Sequence, residues 1–435
     1  MQRAIAAVTF VLAVSAVLRA QDSTSTYVIN KIILEGNKVT KSYVILRELP
    51  FSEGDTVSTT ALEFARERVY SSGLFTNVLM QVEPVFRNRI DLLIYVQERW
   101  YIWPYPVVGL RDRDWKKLYV GAGIIHMNFR GRDEKLSGFF ALGYDPFFGA
   151  FYRTPTIGKN KNFILTLGAS YSRGRNISSR TRYSSGEFDD NFGTMYVELG
   201  RRFGIYSILT LGAAYNYIAA NSSNYSTSVV SPTGTDIFAS LNLEYRFDTR
   251  NLRSYATQGN YIAASLEKDG LGESAVNFIR FSFDARQYVT LVDPLVFAAR
   301  IYGDLAEGPQ IPPYDHVFIG YYERIRGMFN TISEGESILG ANFELHIPII
   351  KKIEIDFPDF PFREYISNRI GIYWSIFADI GETSNKQLNM KINQALYGYG
   401  TGLGMLLPYD IVIQADYARG SDKRWQFILD FGATI

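Results

Sequence analysis

The stretch DIFASLNLEYRFD, residues 236–248, decides the fold of this chain. Apolar or aromatic side chains stand at every odd position from Ile237 to Phe247, and most even positions are polar or charged. A period of two residues is typical of a β-strand, because successive side chains point to opposite faces. The even face carries Glu244 and Arg246, and charges at this density do not suit the dry interior of a sandwich. A strand between lipid and a water-filled lumen accommodates both faces.

The same alternation recurs from residue 100 to residue 435. Sixteen such runs are separated by turn signals, at residues 103–110, 118–128, 133–144, 148–157, 162–172, 190–202, 205–218, 235–248, 258–267, 275–289, 294–304, 336–348, 366–381, 396–407, 410–418 and 424–435. An even number of strands, each taking about 21 residues with its connection, fits tilted segments of roughly 10 residues across a bilayer. We therefore predict an all-β transmembrane 16-stranded antiparallel barrel over residues 99–435. A soluble all-β protein is the alternative, but it would have to bury the outward aromatics elsewhere.

The composition excludes several other classes of protein. The chain has no cysteine, so it has neither a disulfide framework nor a thiolate metal site. Its 45 Lys and Arg residues balance 44 Asp and Glu residues, which gives no reason to expect a nucleic-acid partner. His126, His316 and His346 are too few and too scattered to predict a metal site, and no G-x-S-x-G motif occurs. We predict no enzyme and no cofactor.

Residues 1–20 are predicted to be a secretory signal peptide. Arg3 supplies a positive start, residues 4–18 form an apolar run, and Ala20 is a plausible cleavage point before a linker at residues 21–27. A membrane anchor is the alternative, although the apolar run is short for the roughly 20 residues that span a bilayer. No later segment is apolar over a comparable span, which excludes a helical polytopic membrane protein.

Residues 28–98 are predicted to form a small α+β domain with the order β-α-α-β-β. The periodicity gives a strand at 28–34, a helix at 41–49, a second helix, and strands at 77–83 and 90–96. Thr60 and Glu63 have the spacing of a capping box at the start of the second helix. Such an order makes a small sheet backed by two helices.

Four short motifs mark the joints of this domain: GN at 36–37, GD at 54–55, SGLF at 72–75, and Glu98 at the close of the last strand. On these motifs the domain resembles a POTRA domain over its whole length. The resemblance implies a periplasmic module whose second strand exposes an edge, to which an extended client segment can pair. The predicted client-binding edge comprises Val78, Met80 and Val82. A spacer without a client is the alternative.

The barrel region carries further motifs: FIG at 318–320 and RIRGM at 324–328 in the long connection 305–334, FADIG at 377–381, and GYGTGLG at 398–404. Together with the signal peptide and the POTRA domain, they resemble the BamA and TamA superfamily of outer-membrane assembly factors, which also holds the two-partner-secretion transporters. Its members carry (V/I)RG(F/Y) at the tip of the sixth extracellular loop and FxDxG on the thirteenth strand. Met328 replaces the usual aromatic and Tyr321 a second glycine, and both departures affect the loop tip.

Side-chain parity places two carboxylates in the lumen. Asp379 and Glu344 each lie on the polar face of an alternating strand, so both can meet Arg326 if the long loop folds inward. A guanidinium and a carboxylate form a planar, charge-assisted contact. The predicted latch is Arg326, Gly327, Ile325, Asp379 and Glu344, the strand-thirteen motif adds Phe377 and Gly381, and Gly398, Gly400, Gly402 and Gly404 are expected to give the loop clearance. The alternatives are a solvated charge at Arg326 and, for the glycines, a weak bending strand.

The resemblance implies a factor that inserts proteins into the outer membrane of a Gram-negative bacterium, with its POTRA domain in the periplasm. Its partners would be unfolded outer-membrane or secreted polypeptides, outer-membrane lipids, and periplasmic chaperones or lipoproteins. A seam between residues 102–110 and 424–435 would open sideways as a template for client strands. One POTRA domain is fewer than BamA-like or TamA-like factors or secretion transporters usually have. A dedicated polypeptide exporter and a structural surface barrel therefore stay as alternatives.

Overall fold

The computed structural model describes residues 26–110, 115–179, 189–220, 228–272, 275–321, 323–354, 369–385, 394–407 and 411–431. The predicted signal peptide, most of the predicted linker at residues 21–27 and the last four residues of the final predicted strand lie outside these ranges. In the described part of the chain, no helix is long and apolar enough to cross a membrane.

The amino-terminal domain consists of β1 Thr26–Glu35, α1 Ser42–Leu46, β2 Thr56–Ser58, α2 Thr59–Ser71, β3 Phe75–Phe86 and β4 Arg89–Glu98. Its sheet has the order β2-β1-β4-β3, in which β1 and β4 are parallel and the other pairs antiparallel. Both helices bury apolar side chains against this sheet, Val44 and Ile45 from α1 and Leu62 and Val69 from α2. The domain therefore has a hydrophobic core of its own.

Two details of this domain differ from the sequence prediction. The three-residue strand β2 was missed, because it is too short to show a period of two. The residue that caps α2 is Ser58, whose Oγ accepts a hydrogen bond from the backbone N of Ala61 at 3.2 Å, so the capping box predicted at Thr60 is wrong. A serine in this position satisfies one of the free N–H groups of the first turn.

The remaining strands are β5 Ile102–Leu110, β6 Leu118–Phe129, β7 Glu134–Gly143, β8 Phe147–Ile157, β9 Phe163–Arg175, β10 Asp189–Phe203, β11 Ser207–Ala220, β12 Thr235–Asp248, β13 Gly259–Leu271, β14 Phe278–Val292, β15 Leu295–Glu307, β16 Val317–Ile319, β17 Ser333–Gly335, β18 Ser337–Glu354, β19 Arg369–Ser384, β20 Leu396–Leu407, β21 Ile411–Gly420 and β22 Trp425–Phe431. All except β16 and β17 form one antiparallel 16-stranded sheet in chain order, which confirms the predicted fold class. Strands β16 and β17 form a separate hairpin in the connection between β15 and β18.

The two faces of the sheet differ as the alternation predicts. On β12, Leu241, Leu243 and Tyr245 are exposed on the outer face, whereas Asp236 is buried on the inner one. The edge strands of the sheet are β5 and β22, and no hydrogen-bonded ladder joins them within residues 102–110 and 425–431. Their backbone edges are therefore the only place in the described barrel where neighbouring strands lack a ladder.

The amino-terminal domain is docked against one end of the barrel, which we call the near rim; the connection between β15 and β18 starts at the opposite end, the far rim. The backbone N of Lys41 donates to the carbonyl of Gly131, in the turn between β6 and β7, at 2.8 Å. Glu48 pairs with Arg202 of β10 at 2.6 Å and with Arg68 of α2 at 3.0 Å. Burial alone would raise the pKa of Glu48, but hydrogen bonding and charge from Arg202 lower it to about 2.

Candidate functional site in the barrel lumen

The connection between β15 and β18 leaves the far rim and folds back into the lumen. Its residue Arg326 is only 4% exposed although it belongs to a loop, and the neighbouring Ile325 is fully buried. Ile325 packs in a small apolar cluster with Ile319 and with Tyr302 of β15. The loop is therefore part of the packed interior, and its single buried cation needs a partner.

Two carboxylates from the lumen wall surround the Arg326 guanidinium. Nε and Nη2 donate to Oδ2 and Oδ1 of Asp379, each at 2.8 Å, and Nη1 donates to Oε2 of Glu344 at 2.8 Å. The backbone N of Arg326 also donates to Asp379 Oδ2, at 3.1 Å. A planar fork of five N–H donors can serve two carboxylates at once, whereas a lysine ammonium cannot reproduce the bidentate contact.

The pairing of β18 with β19 sets these partners side by side. Asn342 lies opposite Asp379 and donates to its Oδ1 at 3.0 Å, and Glu344 lies opposite Phe377. The guanidinium carbon of Arg326 is 3.6 Å from the centroid of the Phe377 ring, which adds a cation–π contact. The FADIG strand thus supplies both the carboxylate and the aromatic surface.

Glycines allow the loop to approach the wall at backbone distance. Gly327 has φ +90°, and a Cβ there would lie 2.8 Å from the backbone of Arg419. A Cβ on Gly398 would lie 1.8 Å from the carbonyl oxygen of Arg326, and one on Gly381 would lie 3.1 Å from Ile325. The carbonyl of Arg326 therefore occupies the space that a side chain of β20 would otherwise fill.

The prediction that all four glycines of β20 give the loop clearance is wrong for three of them. A Cβ on Gly400 would meet the backbone of Tyr417 in the adjacent strand, and one on Gly402 would meet Asp416 Oδ1. A Cβ on Gly404 would lie 1.6 Å from the hydroxyl of Tyr255, in the connection between β12 and β13. Side-chain parity shows which face a glycine leaves bare but cannot identify the group that fills the space.

The two departures at the loop tip are both packed. Met328 is 5% exposed, and its sulfur accepts a hydrogen bond from the Ser421 hydroxyl at 3.6 Å. An aromatic residue stands one position later in the sequence. This residue, Phe329, packs against the cluster that includes Phe377. Tyr321 lies edge-on against Phe318, with ring centroids 5.4 Å apart. The loop tip thus retains an aromatic contact with the wall despite the substitution.

Further ion pairs, which the sequence pattern does not predict, hold the loop. Arg300 of β15 pairs with Glu323 at 2.8 Å, and Arg280 of β14 pairs with Asp315 at 2.5 Å. Both arginines stand at lumen positions of alternating strands, which is a signal that parity could have used. Their partners lie in the irregular loop, where a sequence pattern does not place them.

Near the far rim, Glu334 accepts hydrogen bonds from Ser178 and Ser179, and its carboxylate lies 2.7 Å from His316 Nδ1. Burial raises the pKa of Glu334, but the hydrogen bonds from His316 and the serines outweigh burial and lower the pKa to about 2. The loop is therefore fastened to the connection after β9 as well as to the wall.

The predicted client-binding edge lies on β3, the outermost strand of the small sheet. Val82 is exposed there and Met80 is half-buried, but Val78 is 0% exposed and belongs to the domain core. The side chain of Val78 is therefore unavailable to a client, and this part of the prediction is wrong. The backbone edge of β3 faces away from β4, without a further strand in the described sheet.

Comparison with known proteins gives two domain matches. The model of the Omp85 superfamily domain matches residues 128–433, and the POTRA model, described as a surface antigen variable number repeat, matches residues 27–99. Among the described residues, no group of three or more His, Cys, Asp or Glu side chains is arranged to hold a metal ion.

Two curated relatives carry the name outer membrane protein assembly factor BamA. The protein of Nitratidesulfovibrio vulgaris is 24% identical over 314 residues, which are 69% of this chain and 37% of the relative. The protein of Neorickettsia risticii is 24% identical over 370 residues, which are 77% of this chain and 46% of the relative. The chain thus spans less than half the length of these relatives.

Two solved structures share the fold. BamA from Haemophilus ducreyi lacking POTRA domains 1–3 superposes with a TM-score of 0.55 at 18% identity, covering 93% of this chain and 84% of that one. CdiB from Escherichia coli superposes with a TM-score of 0.58 at 11% identity, covering 93% and 75%. At such identities the likeness concerns the fold.

Proposed function

Because the chain belongs to the Omp85 superfamily, we propose that it inserts proteins into the outer membrane of a Gram-negative bacterium. The assembly-factor name of both curated relatives supports this choice. In this proposal residues 1–20 are a signal peptide, residues 28–98 form a periplasmic POTRA domain, and residues 99–435 form the barrel. The near rim then faces the periplasm and the far rim the cell exterior. The clients are unfolded outer-membrane polypeptides.

The observation that carries the proposal is that β5 and β22 are the edge strands of the sheet, with no ladder between them over the described residues 102–110 and 425–431. In lipid, a backbone edge without partners is costly, because no water is present to satisfy its N–H and C=O groups. A client strand that pairs with such an edge satisfies these groups and places its apolar face toward lipid. On β22 the outward residues Trp425, Phe427 and Leu429 are exposed, as expected for a wall that faces lipid.

The latch has a supporting role in this mechanism. Arg326 fixes the loop to β18 and β19, which belong to the half of the barrel that ends in β22. The loop also reaches β22 itself, since Arg324 pairs with Asp430 at 3.1 Å and the backbone N of Phe329 donates to Gln426 at 3.1 Å. The docked loop thus braces the β22 side of the seam.

The POTRA domain would deliver the client to this seam. Its open β3 edge can accept an extended segment through backbone hydrogen bonds, with Met80 and Val82 beside the guest strand. The pairing of Glu48 with Arg202 fixes the domain on the near rim, so that the edge is held at a constant position relative to the barrel. Outer-membrane lipids, chaperones and lipoproteins are further proposed partners.

A dedicated polypeptide exporter is the second candidate. It is favoured by a lumen cavity of about 530 Å³, whose lining includes the charged side chains Arg280, Arg300, Asp284 and Asp304. A wet, charged lumen can pass an extended chain, provided that the loop leaves it. Insertion at the seam needs no passage through the lumen. The edge strands β5 and β22, which a client strand can pair with, therefore favour the first candidate.

The test is depletion of the protein in its host, followed by quantitative proteomics of the outer membrane and the medium. A broad fall in outer-membrane barrel proteins is the expected result, and loss of a single secreted protein would establish the exporter. An unchanged profile would contradict both and leave a structural barrel. Complementation with Arg326→Ala should restore less activity than wild type at equal barrel abundance. Arg326→Lys keeps the charge but loses the bidentate contact, so its activity should lie between that of Arg326→Ala and that of wild type.

A further inference from the structure

The connection between β12 and β13 folds into the lumen instead of following the near rim. It has ten residues, 249–258, and near its middle Tyr255 is 5% exposed and Ala256 is fully buried. Ala256 packs against Tyr288 of β14 and Ala298 of β15 on the inner face of the wall. A surface turn has no need of buried apolar side chains. These contacts therefore indicate that the inward position of the connection is part of the folded structure.

Tyr255 has a fitted seat on the inner face of the wall, formed by β18, β19 and β20. Its ring stacks on Tyr373 of β19, with centroids 3.9 Å apart and an interplanar angle of 4°. Its hydroxyl occupies the space above Gly404 of β20, where a Cβ would lie 1.6 Å away. The edge of His346 from β18 closes the third side, at 5.7 Å between ring centroids.

The distance that the connection covers means that its backbone enters the lumen. Between β13 and β19 the sheet contains β14, β15 and β18, which makes four strand spacings. At about 4.8 Å per spacing this is roughly 19 Å of wall, more than the reach of one tyrosine side chain. The connection therefore runs inside the lumen along the wall, past β14 and β15, to place Tyr255 in its seat.

The inserted conformation is ordered by its own hydrogen bonds. The Oδ1 atom of Asn251 accepts from the backbone N of Thr257 at 3.1 Å, and its Nδ2 donates to the Thr257 hydroxyl at 2.8 Å. Arg250 holds Asp248 at the end of β12 with two contacts of 2.9 Å. Tyr255 has φ +50°, a region that a bulky aromatic residue adopts only where its surroundings enforce it.

We propose that residues 249–258 form a second plug, which closes the lumen from the near rim while the Arg326 loop closes it from the far rim. The two inserts share one stretch of wall. Glu344, which binds Arg326, lies 3.8 Å from His346 Nδ1, and the His346 ring contacts Tyr255. They act as two gates in series, so removal of one leaves the lumen blocked by the other. This goes beyond insertion at the seam, which leaves the lumen closed throughout.

The test is the ion conductance of the purified full chain in planar bilayers, measured for a cycle of variants. Arg326→Ala and Tyr255→Ala are each compared with the double variant. We expect each single variant to conduct slightly more than the parent chain. The double variant should conduct several times more than either single variant, because gates in series conduct only when both are open. Heat-modifiable mobility on gels confirms that each barrel is folded. Equal conductance of Arg326→Ala and the double variant would overturn the proposal.

Two further variants in the Arg326→Ala background test the seat itself. Tyr255→Phe keeps the stacked ring and should conduct like Arg326→Ala alone. Gly404→Ala places a methyl group where the hydroxyl lies and should conduct like Tyr255→Ala, while Gly138→Ala, whose Cβ would be 4.0 Å from its nearest neighbour, is the matched control. If folded Gly404→Ala conducts like its control, Tyr255 does not occupy this seat and the plug is refuted. The measurement needs no client, so it is independent of the proposed insertase activity.

Discussion

Replacing Arg326 by alanine should release the loop from the lumen wall without unfolding the barrel. The substitution removes three charged hydrogen bonds and leaves Asp379 and Glu344 buried without their cation. Loss of one partner from a buried ion pair costs about 3–5 kcal/mol. Since every 1.4 kcal/mol is a factor of ten, the undocked population should rise by roughly two to three and a half orders of magnitude. The strands keep their backbone ladders, and the cost therefore falls on the loop.

The chain contains no cysteine, and a single introduced thiol can therefore report on this opening. Met328→Cys places the thiol at a position that is 5% exposed in the docked loop. Its labelling by a maleimide in detergent micelles should be slow in the parent and about a hundredfold faster with Arg326→Ala. Ile332→Cys, at a position that is 49% exposed in the same loop, should react equally fast in both backgrounds and is the matched control.

Equal labelling of Met328→Cys in both backgrounds would refute the latch. The loop would then be held by its other contacts, such as the pairs Arg300–Glu323 and Arg280–Asp315, and Arg326 would be dispensable for docking. Faster labelling at both cysteines would also count against it, because such a result indicates a general loss of structure. Only a change confined to the buried position fits a docked loop that opens as a unit.

Other changes test the neighbouring contacts. Gly398→Ala puts a methyl group 1.8 Å from the carbonyl oxygen of Arg326 and should expose the loop in the same labelling assay, whereas Gly138→Ala should not. The folded-state pKa of Glu48, about 2, lies below its usual 4.5, so its contribution to stability is full above about pH 4.5 and is lost as pH falls toward 2. The thermal unfolding temperature of the small domain, followed by circular dichroism, should therefore fall as pH falls over that range. Glu48→Gln should make this pH dependence of the unfolding temperature shallower. Ser58→Ala removes the cap of α2 and should cost the domain about 1 kcal/mol in denaturant unfolding.

The period of two residues predicted the sixteen barrel strands because it depends only on the contrast between lipid and lumen. The same periodicity told which carboxylates face inward, and the structure brings Asp379 and Glu344 to Arg326. Once the faces are known, a contact across the lumen depends on one further fact, the inward course of the loop. That fact came from the resemblance to a family and not from the residues themselves.

Irregular connections have no comparable signal in the sequence. Nothing in residues 249–258 shows by periodicity that Tyr255 lies inside the lumen, because a turn that folds inward has the same composition as one that stays on the rim. The pairing of Glu48 with Arg202 joins positions 154 residues apart and depends on how two domains dock. Strand β2 was missed for a simpler reason, since three residues show no pattern.

The buried latch is better suited to fixing the register of the loop than to adding stability. A buried ion pair costs desolvation that its attraction barely repays, and apolar residues in the same place would often be as stable. Yet both the backbone N and the guanidinium of Arg326 bind the same carboxylate, Asp379. A shift of the loop by one residue would break both contacts and would bring a side chain against Gly398, where there is space only for a backbone oxygen. The loop therefore has one docked position, and the contacts that it makes with β22 follow from that position.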